Sequence, residues 1–244
     1  MSHQHLAPPL QRCPLISKDL TSKTYTSDVA AFVSKAKAIR TISSRQSRLV
    51  FALDATASRD ATWQTARRHH RELYDATAGA SDLAVQLCYY RGINEFNASP
   101  WLTSGQELCS RMDGVTCEGG PTQIARLLNH YLEVGTPVTP VRALIFIGDA
   151  VEERSEALLN LAGQCRLKGQ PIFTFQEGTD PIAARIFSEM ARISGGAYAA
   201  LGEQTSVMLQ RLLAAVARYA TGGRQALTQS GTESDRLLLS QLPK

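Results

Sequence analysis

Asp54, Thr56 and Ser58 alternate in the segment DATAS, which follows directly on an apolar run at residues 48–53. Alternate residues of an extended turn point to the same side, so one carboxylate and two hydroxyls can converge on one point. Hard oxygen donors of this kind suit Mg²⁺, Mn²⁺ or Ca²⁺ far better than zinc. The same residue types are favoured at helix N-caps and turns, so the segment by itself reads equally as a cap. Two further segments bear on the choice. Gly119-Gly120-Pro121-Thr122 places a hydroxyl at the start of a helix, and Ile145-Phe146-Ile147-Gly148-Asp149 places a second carboxylate behind another apolar run. Three separate segments thus offer oxygens that a suitable sheet would gather at one edge.

From residue 50 onward, short apolar runs alternate with longer stretches of helical period, the pattern of βαβ units feeding a mostly parallel sheet. Strands are expected at 48–53, 82–90, 141–147, 171–175 and 197–201. The helix after the first strand carries Trp63, Ala66, His70, Leu73, Tyr74 and Thr77 on one stripe. The helix at 121–133 has Pro121 in its first turn and turns Ile124, Leu127, Leu128 and Tyr131 inward. Further helices are expected at 152–167, with Leu158, Leu161, Ala162 and Cys165 inward, at 180–193, and at 203–220, with Leu209, Leu212, Leu213 and Val216 on one face. Residues 91–120 are irregular, with one short helix near 105–112. The fold class is therefore α/β: a doubly wound, mostly parallel, Rossmann-like central sheet flanked by helices. In such sheets ligands bind beyond the carboxyl ends of the strands, where Asp54 and Asp149 fall.

The chain divides into an N-terminal extension at 1–46, the α/β domain at 47–221 and a C-terminal tail at 222–244. The extension holds a helix capped near Ser27 and a basic tract with Lys35, Lys37, Arg40, Arg45 and Arg48. The tail is polar up to Leu237, Leu238 and Leu239 and is expected to be flexible.

With these residues in place, the chain resembles a von Willebrand factor A domain of the bacterial cytoplasmic type. DATAS is similar to the DxSxS of that family's metal-ion-dependent adhesion site (MIDAS), GGPT to its threonine loop, and FIGDA to its strand-terminal aspartate, in the same order. Residues 171–201 are similar to its later strand, helix and Gly-Gly-aromatic ending, and the likeness spans about 48–219. The resemblance implies that Thr56, Ser58 and Thr122 give hydroxyl ligands to a dication while Asp54 and Asp149 bind it directly or through water. Thr56 stands where serine is usual, Pro121 is inserted before Thr122, and Gly148 and Ala150 flank Asp149 in place of Thr and Gly. Were Thr122 displaced, Thr116 would be the nearest substitute. With only two carboxylates against it, the ion stays electrophilic. In the family an Asp or Glu of a partner protein completes its shell, which implies metal-dependent protein recognition rather than catalysis. Residues 91–120 would shape the rim, with Glu95 and Trp101 as candidates.

Two other functions compete. An aspartate at a strand end beside Mg²⁺ can serve a metal-dependent hydrolase or phosphatase, but the general acid expected two residues on is Thr56, and His69, His70 and His130 lie within helices without evident carboxylates. There is neither a GxxxxGK[ST] loop nor a GxSxG elbow. Nucleic acid could bind the basic tract, though no aromatic side chains are interleaved for stacking. The net charge of +4 is too modest to point to a polyanion. No apolar run is long enough to span a bilayer and no secretory signal is evident, so the expectation is a soluble cytoplasmic protein with no membrane partner. Five cysteines (Cys13, Cys88, Cys109, Cys117, Cys165) without a CxxC pair fit reduced, incidental thiols.

Overall fold

The computed structural model describes residues 46–59, 83–201 and 205–244, with isolated helical positions at 29, 31, 33 and 34. The chain divides into two compact units, Met1–Ile42 and Ser43–Lys244. In the first, Val29 and Val33 are exposed helical positions. Lys35, Lys37, Arg40 and Arg45 of the basic tract, and the stripe from Trp63 to Thr77, lie outside the described residues.

Six strands among the described residues form one sheet: β1 (Ser47–Asp54), β2 (Leu83–Arg91), β3 (Glu95–Ala98), β4 (Val141–Gly148), β5 (Ile172–Gln176) and β6 (Tyr198–Ala200), in the spatial order β3-β2-β1-β4-β5-β6. All neighbours run parallel except β2 and β3. The edge strand β3 was not foreseen: its four residues EFNA lack an alternating apolar pattern, and backbone pairing with β2 carries it instead.

The central strands are apolar on both faces because both faces are covered. Leu49, Phe51 and Leu53 of β1, with Ala143, Ile145 and Ile147 of β4, enter one core. It is closed by α1 (Gly105–Asp113), by α5 (Thr205–Ser230) and by α6 (Glu233–Gln241). Val50 and Ala52, with Leu144 and Phe146, enter the other, beneath α2 (Ile124–Val134), α3 (Ser155–Leu167) and α4 (Pro181–Ser194). Leu158, Ala162 and Cys165 of α3 are buried there, with Leu161 partly buried beside them. The doubly wound α/β architecture expected from the strand and helix periods is the one found.

Local chemistry sets the helix ends. The Asp180 carboxylate accepts from the Ile182 N–H at 2.8 Å ahead of Pro181, and Gly195, at φ 84°, closes α4 in the left-handed region open to glycine. Pro121 is not in the first turn of its helix, as the sequence suggested; α2 starts at Ile124, and Pro121 lies in the preceding loop.

The expectation of a flexible tail beyond Gly223 is corrected. α5 breaks at Gly223 but continues to Ser230, and α6 follows behind a capping box in which Thr232 and Asp235 bond each other's backbone N–H groups. Leu227, Leu238 and Leu242 are buried in the first core, and the buried Asp235 carboxylate is bound by Arg218 at 2.7 Å. No helix among the described residues is long and apolar enough to cross a membrane. Burial pushes the Cys88 and Cys165 thiols up to about 12, which keeps them protonated.

Candidate metal centre

The strand order reverses between β1 and β4, and both strands end at the same level: Leu53 pairs with Ile147, so Asp54 stands beside Gly148 and Asp149 is the next residue out. This is the crevice in which open α/β sheets bind ligands.

Asp54 is wholly buried and its two oxygens are both engaged. Oδ1 accepts the Thr56 N–H at 2.8 Å, which folds DATAS back as an Asx turn, and Oδ2 accepts the Tyr90 hydroxyl at 2.9 Å. The turn sets the Thr56 and Ser58 hydroxyl oxygens 3.1 Å apart, so the alternation read from the sequence does bring these two together. Local pattern carries no signal for Tyr90, on β2, because its role rests on a partner 36 positions away.

The GGPT loop lies against the same turn. The Glu118 N–H donates to the Ala55 carbonyl at 3.0 Å, and Thr56 and Glu118 form a parallel bridge. A Cβ on Gly119 would meet Ala57 Cβ at 3.9 Å, whereas one on Gly120 would stand 1.9 Å from the Gly92 carbonyl oxygen. Only glycine permits that approach. Thr122 faces the β4–α3 loop: its N–H donates to Glu152 Oε2 at 3.0 Å, and its Oγ1 accepts the Glu152 N–H at 3.1 Å. The inserted Pro121 therefore leaves Thr122 at the β4 side of the crevice. Thr116 is occupied elsewhere, where it accepts Arg91 Nη1 at 2.6 Å.

Two glutamates complete this wall. Glu153 accepts the N–H groups of Ile124 at 2.6 Å and Ala125 at 2.8 Å, capping α2 from another loop because Gln123 offers no side-chain cap. In the sequence this acidic pair looks like the first turn of α3, which instead starts at Ser155.

Asp149 Oδ1 is buried and has no hydrogen-bond partner among the described residues. A buried carboxylate oxygen needs a compensating donor or cation. Together with the Asp54 carboxylate and the hydroxyls of Thr56, Ser58 and Thr122, the donor chemistry fits a hard dication. No three His, Cys, Asp or Glu side chains gather among the described residues, so such an ion would depend on the hydroxyls as much as on the carboxylates.

Of the rim candidates, Glu95 stands near this end, bound to Arg91 at 2.9 Å, and that hydrogen bond holds its carboxyl below the usual range. Trp101 does not: it lies under the Arg48 guanidinium, 4.8 Å from the ring centre, beside the first residues of β1 and thus at the opposite end of the sheet. Arg48 is thereby drawn out of the basic tract into β1. His130 bonds Gln86 at 2.9 Å and is half-buried, and burial lowers its pKa, which suits a structural imidazole.

Neither a protein-family model nor a curated protein matches this chain. Solved structures do. A von Willebrand factor type A protein from Catenulispora acidiphila is 13% identical over 72% of this chain and 43% of that one, with a TM-score of 0.59. The conserved hypothetical protein BatB from Bacteroides thetaiotaomicron is 16% identical over 75% and 98%, with a TM-score of 0.56. Proximal thread matrix protein 1 of the mussel byssus, described with a zinc-occupied MIDAS motif, is 15% identical over 69% and 45%, with a TM-score of 0.57. The β-sheet order, the helices on both faces and these likenesses agree on one conclusion: the chain has the fold of the von Willebrand factor A domains.

Proposed function

We propose that this chain is a non-enzymatic protein-recognition module that works through a divalent metal held by Asp54, Thr56, Ser58, Thr122 and Asp149. The carrying observation is the buried Asp149 Oδ1, without a partner among the described residues and one residue beyond the level of Asp54. Mg²⁺ is the preferred ion on donor hardness, with Mn²⁺ and Ca²⁺ as substitutes. A bound dication would supply a Lewis-acidic position for an Asp or Glu of a partner protein. The chain's own part is positional. The Tyr90 hydroxyl and the Thr56 N–H hold Asp54, and Glu152 holds Thr122 at the β4 side.

Two features favour recognition over hydrolysis. Both oxygens of Asp54 already accept hydrogen bonds, which suits a fixed ligand better than a nucleophile. His130 is taken up by Gln86, away from the crevice, so it offers no general base. The test is capture of protein partners on the immobilised full chain, with and without EDTA, beside Asp149→Ala. The reading requires a partner lost in both EDTA and the variant. A partner set indifferent to both would refute it.

A further inference from the structure

The end of the sheet opposite the candidate metal centre carries an uncompensated cluster of cations. Arg142 is the exposed second residue of β4, Arg166 lies in the last turn of α3, and Arg224 follows the break in α5 at Gly223. Three adjoining hollows of about 640, 410 and 220 Å³ meet at Gly169: Arg142 and Lys168 line the first, Arg142 and Tyr219 the second, and Arg166, Arg224 and Tyr219 the third. No Asp or Glu lines any of them among the described residues. Among the described residues Arg142 and Arg166 make no ion pair, and Arg224 is steadied by the Leu242 and Pro243 carbonyls at 3.0 and 2.8 Å.

Tyr219 sits at the focus. Its ring packs edge-on against Phe173 at 5.2 Å, and its hydroxyl has no hydrogen-bond partner among the described residues. Burial pushes the phenol above its ordinary pKa against the pull of Arg224, Arg166 and Arg142, so it remains a proton donor at neutral pH. Cations near a helix C-terminus complement the dipole, which accounts for Arg166 and Lys168 but not for Arg142 and Arg224.

We propose that the junction of these hollows, at Gly169 and Tyr219, binds a phosphoryl dianion held by Arg142 from one side and by Arg166 and Arg224 from the other, with the Tyr219 hydroxyl as a neutral donor. Guanidinium groups keep their charge at all accessible pH values and match phosphate oxygens in pairs. Three of them without a counter-charge repel one another, and a dianion relieves that repulsion more fully than a single carboxylate. Among the described residues no exposed aromatic face lies here for base stacking, since the Tyr219 ring is engaged with Phe173, so single-stranded nucleic acid is disfavoured. The phosphoryl group could arrive on a small phosphate ester or on a phosphorylated side chain.

The test is calorimetric titration of the full chain at constant ionic strength with glycerol 3-phosphate and, separately, with a phosphoserine peptide; the tighter of the two names the source. Saturable binding is expected, weakening as pH falls through the second phosphate pKa near ~6. Arg142→Ala should weaken it about tenfold and Tyr219→Phe about threefold, the scale of a lost charged and a lost neutral hydrogen bond. Glu107→Gln, at an exposed residue of α1 outside both sites, should leave it unchanged. If Arg142→Ala melts early, Arg142→Lys replaces it, since it keeps the charge but loses the paired geometry. Absence of saturable binding to either probe, or equal binding by wild type and the Arg142 variant, overturns the proposal.

Discussion

Thr122 and Glu152 hold each other reciprocally: the Thr122 N–H donates to the glutamate carboxylate at 3.0 Å, and the Glu152 N–H donates to the threonine hydroxyl oxygen at 3.1 Å. The pair ties the GGPT loop, which carries Thr122, to the β4–α3 loop, which carries Asp149. Thr122→Val removes the acceptor of a part-buried N–H and should cost about 1–2 kcal/mol in urea unfolding. Thr122→Ser should restore most of it. Equal stability of the valine variant would show the bond to be incidental.

Tyr90→Phe tests the support of Asp54. The buried carboxylate would lose one of its donors, at a cost of about 1–3 kcal/mol. For a domain of this size that lowers the Tm by about 2–4 °C per kcal/mol. An unchanged Tm would mean that the hydroxyl does not hold the carboxylate.

The two adjacent glycines of the loop should behave differently. Gly119→Ala adds a methyl in ordinary contact with Ala57, while Gly120→Ala places one 1.9 Å from the Gly92 carbonyl oxygen. Backbone must move to admit the second. Chemical denaturation should find Gly119→Ala within about 0.5 kcal/mol of wild type and Gly120→Ala destabilised by about 2 kcal/mol or more. Matching stabilities would contradict the close approach.

What was legible in the sequence follows the range of the interactions. The apolar runs of β1 and β4 announce strands buried on both faces, and the carboxylates behind them could be placed at the sheet's carboxyl edge from local pattern alone. Tyr90 and Glu153 could not be found that way, because each acts on a residue roughly thirty positions distant. The C-terminal helix was missed for the same reason. Its anchor is a charge, Asp235, buried against Arg218 seventeen positions earlier, and sequence pattern reads a charge as solvated.

That anchor makes stability depend on acid. Burial alone would raise the Asp235 pKa, but hydrogen bonds from Thr232, Arg218 and Ser230 outweigh it and hold the carboxyl below its ordinary value. A depressed folded pKa contributes stability that is full above the unfolded value of about 3.9 and is lost as pH falls through the folded value. Asp235→Asn should flatten this part of the acid limb. Arg218→Ala should cost about 1–2 kcal/mol at neutral pH, a reduced figure because Arg218 is one third exposed. Superimposable acid limbs for wild type and Asp235→Asn would exclude this role.

The central claim, a hard dication gathered by Asp54, Thr56, Ser58, Thr122 and Asp149, is tested most directly by thermal melting across a titration of Mg²⁺ or Mn²⁺. Near 100-fold over Kd, binding to the folded chain alone adds roughly 2.7 kcal/mol. At about 2–4 °C per kcal/mol, the Tm should climb by about 5–10 °C in the wild type and stay flat in Asp54→Ala and Asp149→Ala. A wild-type Tm that does not move at millimolar metal, or a rise that persists in both variants, would contradict it.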